Sequence, residues 1–545
     1  MRARLAQPLA AFRVVARNPA LRNLQLAGVG STLGVWAYSV AIAVYAYRAD
    51  GAGAVGLLYF ARWALAGAFA PWLAVLADRF PRRRVMLVSD SLFGACVGGM
   101  AVAAAAGASP FFVYALSVLG SIAGAAFGPA ESALMPSLTA EPDELTAANV
   151  ALGTTASVGM FAGPALAGAL LAVASPWLVF ALTAVCSLWS MACVARIPVD
   201  SSPASEASPE PVTAALLGGF RAIASERRLR LLVGLTGAQT LVSGALEVLI
   251  VVVALRLLHG GNGAVGWVNA AIGVGSVFGA LAVGVLGGRL ARNLGLGLAI
   301  FGLSLALIAV WPRTAAVVVL FAVLGIGSTV AGVAGTTLLQ RATGEEVLGR
   351  VFGVLESLGL LTFAVGAVVT PALVRAAGPR GALVVAGALL PVLYLVLRTR
   401  LREIDDAAAL PVERLELLRG ISIFALLPSP VLERLAVSAG ELTVPAGGAV
   451  VRQGEPGELF YAIEDGSASA DVDGHAVRRL EKGDFFGEIA LLRDVPRTAT
   501  VRALDELRLL TLEREPFLAA VLGHAPSRAK ADQVVAARLP AGAPI

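Results

Sequence analysis

Lysine is almost missing from this chain: among 545 residues only Lys482 and Lys530 carry an ammonium, and arginine supplies the rest of the basic charge. Charge of any kind is scarce, at 14% against 57% hydrophobic residues, and the mean hydropathy is +0.80. A chain this long that met water on every side would need far more charge, so the composition excludes an ordinary soluble protein and indicates a membrane class. Cysteine and histidine are equally sparse. Cys96, Cys186 and Cys193 all fall in apolar stretches, which excludes a disulfide framework and leaves them as small packing residues. With only His259, His475 and His524, no metal-ligand or catalytic-triad spacing exists, so neither a metal nor an enzyme is expected. The scattered arginines of the N-terminus, with no short apolar run and cleavage site, predict that the first spanning helix itself directs insertion. Abundant Ala, Gly and Arg read as a high-GC bacterial coding sequence.

What is present is a series of apolar runs. A spanning helix needs roughly 20 apolar residues to cross the hydrocarbon layer, and twelve such runs are read near 24–47, 53–77, 84–107, 110–134, 147–173, 176–196, 229–257, 263–288, 293–311, 315–340, 349–376 and 380–400. Backbone polar groups cannot stay bare in lipid, so each must be a helix. Arginine gathers at the N-terminus, after the second run (Arg79, Arg82, Arg83, Arg84) and after the sixth (Arg221, Arg227, Arg228, Arg230). The positive-inside rule then puts both termini in the cytoplasm. The stretch Pro198–Ser225, rich in Ser and Pro, reads as a flexible linker between two six-helix halves.

The halves echo each other at a spacing of about 200 residues, as duplicated transporter halves do. Asp143-Glu144-Leu145 before the fifth run matches Glu345-Glu346-Val347 before the eleventh, and Gly163-Pro164-Ala165-Leu166 matches Thr370-Pro371-Ala372-Leu373. The loop Ala74 to Arg84, with Asp78-Arg79 at its centre, resembles the signature loop of the major facilitator superfamily, in particular its bacterial exporters, and the resemblance covers residues 1–400. Ala74 and Pro81 stand where that pattern has glycine. The resemblance implies that Asp78 and Arg79 latch the halves together near Gly349 and Arg350, the other reading being that these arginines only set topology. Gly159, Gly163-Pro164 and Gly168 resemble the fifth-helix motif of antiporters and drug exporters; tight glycine packing and a proline bend account for it equally well.

Ionisable residues inside spans are costly and stand out for that reason. They are Arg62, Asp90, Glu131, Glu247 and Glu356. Arg62 and Glu247 lie at similar depth at 1.5 Å per residue, so they are candidates for a gated ion pair, and Glu247 is the first candidate for proton coupling. Asp90, Glu131 and Glu356 lie nearer the cytoplasmic ends. Polar residues of the apolar helices are few (Gln25, Tyr38, Gln239, Asn269), which favours a hydrophobic or amphiphilic cargo over a sugar.

From about Leu415 the texture changes to amphipathic helix over Glu413–Leu435, then short strands separated by glycine turns, the pattern of a jelly roll. Within it Gly483-Asp484-Phe485-Phe486-Gly487-Glu488-Ile489-Ala490 runs on through Arg497-Thr498-Ala499. This closely resembles the phosphate cassette of cyclic-nucleotide-binding domains. The resemblance implies that Glu488 accepts from the ribose 2′-hydroxyl and that Arg497, placed on the next strand, holds the cyclic phosphate. Gly487, Ile489, Ala490, Thr498 and Ala499 complete the cradle. Thr498 resembles members that accept cGMP, while cAMP is the default in bacteria. A lid helix is expected at Ala531–Leu539, with Val534 and Arg538 toward the base.

The expected architecture is a polytopic α-helical membrane protein with twelve transmembrane helices in two repeats, the major facilitator fold, plus a cytoplasmic β jelly-roll domain with flanking helices. The boundaries are residues 1–196, linker 197–228, 229–402, linker 403–414, and 415–540 for the nucleotide domain. The expected function is a secondary exporter of hydrophobic or amphiphilic small molecules, coupled to protons and tuned by cAMP or cGMP. It would sit in the bacterial inner membrane, in contact with the lipid bilayer, and bind no nucleic acid. The alternatives are a lipid or lysophospholipid translocator of the same fold, and a membrane-anchored nucleotide receptor that no longer transports.

Overall fold

The computed structural model describes residues 12–139, 142–198, 212–283, 289–343, 345–407 and 412–538; within these, the side chains of 70–79, 142–143, 212–216, 345–348, 405–407, 412 and 429–430 are not described. The chain forms two compact units, Met1–Ala407 and Ala408–Ile545.

The first unit is helical. Its helices are α1 (Pro19–Arg79), α2 (Arg82–Ala105), α3 (Pro110–Gly124), α4 (Phe127–Leu134), α5 (Pro142–Val173), α6 (Pro176–Ala195), α7 (Val212–Ser225), α8 (Arg227–Val252), α9 (Gly263–Val283), α10 (Leu290–Val310), α11 (Thr314–Ala342) and α12 (Glu345–Ala407). Local chemistry sets several starts. Asn18 Oδ1 accepts from the backbone N–H groups of Ala20 and Leu21 at 3.1 and 3.3 Å, capping α1. Proline opens α3 and α6, where its missing N–H costs nothing.

Among the described residues ten helical stretches are long and apolar enough to cross a membrane. Two of them are double: α1 bends at Gly51 (φ 73°) and α12 at Gly378 (φ 72°), left-handed conformations open to glycine at little cost. Divided there, the ten stretches become the twelve spans expected.

One local expectation needs correction, that of a flexible linker, and two others gain detail. The fourth run remains one apolar stretch over Pro110–Leu138 but turns after Gly124 and ends in a 3₁₀ turn at Met135–Leu138. The linker is helical over Val212–Ser225, because the apolar spacing of Leu217, Phe220 and Ile223 outweighs the preceding Ser/Pro run. There Gly219 leaves no room for a side chain: a methyl group would stand 2.7 Å from Val354 Cγ2 of α12. The glycines of the fifth-span motif serve packing: a methyl at Gly163 would meet Trp36 Cβ at 2.6 Å, and one at Gly168 the Gly263 carbonyl at 2.9 Å. The three cysteines are free.

The second unit contains α13 (Val412–Gly420), α14 (Ser429–Ser438), eight strands, and α15 (Glu488–Arg493), α16 (Arg514–Leu522) and α17 (Ala525–Arg538). The strands are β1 (Gly440–Val444), β2 (Ala449–Val451), β3 (Leu459–Asp465), β4 (Ala468–Val472), β5 (His475–Leu480), β6 (Phe485–Phe486), β7 (Thr500–Ala503) and β8 (Leu507–Glu513). They form two antiparallel sheets in the orders β1-β8-β3-β6 and β2-β7-β4-β5, the jelly roll expected. Strand alternation feeds two cores from β8: Leu507 and Leu509 pack between the sheets, while Leu510 and Leu512 face the helices. On the helix side Phe460 stacks on Phe517 at 4.9 Å and on Phe485 at 5.7 Å. That aromatic stack fixes β6, and with it the start of the cassette.

Candidate functional site

The cassette is built on a glycine that nothing else can replace easily. Gly487, with φ 90°, turns the chain from β6 into α15. A methyl there would stand 2.6 Å from Arg497 Nη1 and 2.9 Å from the Leu459 carbonyl. The turn lowers Glu488 into the interior, where it is 1% exposed. Arg497, 6% exposed, stands in the loop leading to β7 rather than on the strand itself, since Pro496 removes a ladder donor just before it. Its Nη1 donates to the Gly487 carbonyl at 3.1 Å and its Nη2 to the Leu459 carbonyl at 2.8 Å. Tyr461 lies beneath it, with the guanidinium 5.5 Å from the ring centre.

Two buried atoms in this cradle have no partner: Glu488 Oε2 and Arg497 Nε. One is an acceptor and the other a charged donor. That is the pair a ribose hydroxyl and a cyclic phosphate would complete, so the residues present fit the ligand that the sequence implied. Burial pushes the Glu488 carboxyl above the usual carboxylate range, against the opposing pull of Arg538. Burial likewise draws the Arg497 guanidinium below its usual value, against Tyr461 and Glu488.

The C-terminal helix closes on the same carboxylate. Arg538 Nη1 donates to Glu488 Oε1 at 2.8 Å and to the Phe485 carbonyl at 2.9 Å, with its guanidinium 4.3 Å from the centre of the Phe485 ring. The helix begins at Ala525, six residues before the expected start at Ala531, and buries Ala531 and Val535. Val534 packs against the helical core. Ile489 and Ala490 are buried, Thr498 is exposed and Ala499 half-buried. Tyr461, Leu459 and Phe485 complete the cradle and were not singled out from sequence; their contribution is two ring faces and two backbone carbonyls.

In the helical unit the structure gathers a second group. Arg62, 7% exposed, lies with its guanidinium 4.9 Å from the Tyr38 ring centre and 5.4 Å from that of Tyr59. Glu247 of α8 is half-buried and within electrostatic reach of Arg62 and Tyr59, so the expected pair is brought together in space without forming a close ion pair. Tyr59 precedes Arg62 by three residues, a same-face helical spacing that was legible. Asp90 and Glu131, 4% and 8% exposed, influence each other, and Asp90 Oδ2 and Glu131 Oε1 have no hydrogen bond. Glu356 is exposed and joins neither group, because its face of α12 is turned away from the helix packing. The side chains of Asp78 and Arg79 lie outside the described residues. Of the polar residues, Gln25 donates to the Ala148 carbonyl at 3.2 Å, Gln239 to that of Ser328 at 3.2 Å, and Asn269 to that of Val265 at 2.9 Å. Tyr38 and Ser117 share a hydrogen bond of 2.6 Å.

A family described as transmembrane secretion effector matches residues 8–419, well over half of the chain. The chain belongs to that family, a branch of the major facilitator transporters. A second family, the cyclic nucleotide-binding domain, matches residues 441–524 and spans the whole cassette. Curated relatives include cAMP-dependent protein kinase regulatory subunits. The one from Debaryomyces hansenii is 41% identical over 103 residues, covering 19% of this chain and 23% of that protein. The one from Schizosaccharomyces pombe is 37% identical over 142 residues, covering 26% and 34%. The chain thus spans about a quarter to a third of the length of these relatives. Among solved structures, a POT family transporter in complex with 5-aminolevulinic acid aligns with a TM-score of 0.59 at 14% identity, over 70% of this chain and 96% of that one. That likeness is one of fold. The molecule is therefore a multi-pass transporter carrying a cyclic-nucleotide-binding domain.

Proposed function

We propose that this transporter is a secondary exporter of hydrophobic or amphiphilic small molecules, driven by proton exchange, whose rate is set by cAMP or cGMP bound to its tail. The observation that carries the regulatory part is the pair of open buried atoms, Glu488 Oε2 and Arg497 Nε, inside a domain that shares a chain with the helices. A fold that keeps both atoms dry and unpaired sustains that cost for a ligand. The curated relatives are named for cAMP dependence, which supports cAMP first; exposed Thr498 keeps cGMP as a second ligand to compare. Export is supported by the family description, and an apolar cargo by the internal hydrogen bonding of Gln239 and Asn269.

Glu247 is the proposed proton carrier, since it is the carboxylate that stands beside Arg62 and Tyr59. Its protonation changes the charge next to Arg62 in each cycle. We place the protein in the inner membrane with both termini and the nucleotide domain in the cytoplasm. Nucleotide shifts transport only by binding the inward- and outward-facing states with different affinity.

Purified full-length protein in liposomes tests this reading. Efflux of a lipophilic dye should follow an imposed proton gradient and change rate with cAMP or cGMP. Dye movement indifferent to the gradient, or to both nucleotides, removes the corresponding part of the proposal.

A further inference from the structure

Arg62 has a feature that the proton-exchange reading leaves unused. Its Nε and Nη1 are buried and donate to nothing. The two tyrosines beside it meet the charge with their ring faces and give Nε and Nη1 no oxygen acceptor. Their hydroxyls are engaged elsewhere: that of Tyr38 with Ser117, and that of Tyr59 with the Ser39 carbonyl at 3.1 Å and with the Glu247 carboxyl. Glu247 is near enough to be felt but, among the described residues, makes no hydrogen bond or ion pair with Arg62. The unpaired atoms here are all donors, and the one permanent charge is positive. A dry guanidinium in a membrane unit persists where something supplies acceptors.

We infer that the cargo is an amphiphile bearing an oxyanion, a carboxylate, sulfonate or phosphate, and that Arg62 holds this group while the rings of Tyr38 and Tyr59 line the apolar part. The inference rests on the transport reading and names its substrate class. Planar guanidinium suits a two-oxygen group through paired N–H donors. Glu247 competes with that group for the same charge, so cargo and ionised Glu247 oppose each other at Arg62.

The test uses the full-length protein in nanodiscs, a xanthene dye with one free carboxylate, and the methyl ester of the same dye. Wild type should bind the carboxylate form more tightly than the ester. Arg62→Gln should weaken the carboxylate about 30-fold or more, the usual scale for removing one partner of a buried charge pair, and leave the ester unchanged. Arg62→Lys keeps the charge without the fork and should retain part of the preference. Glu247→Gln removes the competitor and should tighten carboxylate binding. Anionic-lipid nanodiscs that displace the carboxylate dye would support the oxyanion site and show a lipid headgroup entering it; unaffected binding would support a free amphiphile. Equal losses for both dyes in Arg62→Gln, or tighter ester binding in wild type, overturn the inference. In liposomes, transport of the ester but not the carboxylate defeats this inference alone; transport of neither defeats the exporter reading as well.

Discussion

Arg62 and Arg497 are equally buried, at 7% and 6% exposed, yet the two units hold them in different ways. In the tail, the carbonyls of Leu459 and Gly487 receive both terminal nitrogens of Arg497. In the helical unit Arg62 has aromatic faces and no acceptor for Nε or Nη1. The cause is backbone economy. Strand β6 is only two residues long and pairs with Tyr461 and Ala462, so the carbonyl of Leu459 lies beyond it and is free to accept. A helix commits its carbonyls first to the N–H groups four residues on, and at Arg62 no helix carbonyl accepts from Nε or Nη1. The tail preorganises its guanidinium on carbonyls; at Arg62 the bundle leaves that to side chains or to cargo.

The largest test of this contrast is Arg497→Ala. It removes the charged donor of the cradle and leaves two carbonyls without their donors, so nucleotide affinity should fall about 100-fold or more, close to 3 kcal/mol. Calorimetry of the full-length protein with cAMP and cGMP reads it directly. Wild-type affinity in the variant would sink the assignment of the cassette. Arg62→Met should act in the opposite direction on stability. Removing a poorly partnered buried ion lifts its desolvation cost, several kcal/mol per ion, and part of the cation–π attraction, about 1 kcal/mol, is given back. A higher unfolding temperature in detergent is the expected result; a clear drop would mean that Arg62 already has structural partners and would close the difference between the two sites.

Gly487→Ala comes next. The left-handed turn and the approach to Arg497 Nη1 and Leu459 both oppose a methyl group, at about 1–3 kcal/mol for such strain. The tail should unfold earlier, and nucleotide affinity should fall less than in Arg497→Ala because Arg497 keeps its charge. A variant as stable as wild type would show that the turn relaxes freely.

How much of this was legible in the sequence follows the same division. The spans were legible because each is a contiguous apolar run, and the cassette because Gly487, Glu488 and Arg497 lie within one short contiguous segment. The helix α7 was hidden by the Ser/Pro run before it, although Leu217, Phe220 and Ile223 carry its period. Arg538 was named for the lid, but its bond to Glu488 joins residues 50 positions apart, and no local pattern encodes that pairing. The carbonyl of Leu459 was invisible for a different reason: a backbone acceptor has no residue type, and its freedom depends on where β6 stops. Arg62 was legible as a buried charge, whereas its lack of acceptors appears only once the tyrosine hydroxyls are seen to be occupied.

The smallest expected effect concerns the Arg538–Glu488 contact and is read through pH. Burial holds the folded Glu488 carboxyl above the usual range, so the folded tail binds this proton more tightly than the unfolded chain does. Its contribution to stability is therefore fully present below the ordinary glutamate range and is lost as pH rises through the raised value. A ribose hydroxyl donating to Oε2 favours the ionised form, so nucleotide affinity should rise with pH across that same window. Arg538 pulls the carboxyl down, and Arg538→Ala should move the window to higher pH while weakening binding at the lower end. The measurement is cAMP affinity against pH for the full-length protein and the variant, with Glu488→Gln as the form that cannot ionise. Coincident curves for wild type and Arg538→Ala would leave the helix α17 contact without influence on the carboxylate. A shift to lower pH would show that desolvation by the helix outweighs its charge. The upward shift is expected because the ion pair is short and almost dry on the Glu488 side, at 20% and 1% side-chain exposure; in such a setting charge is screened least.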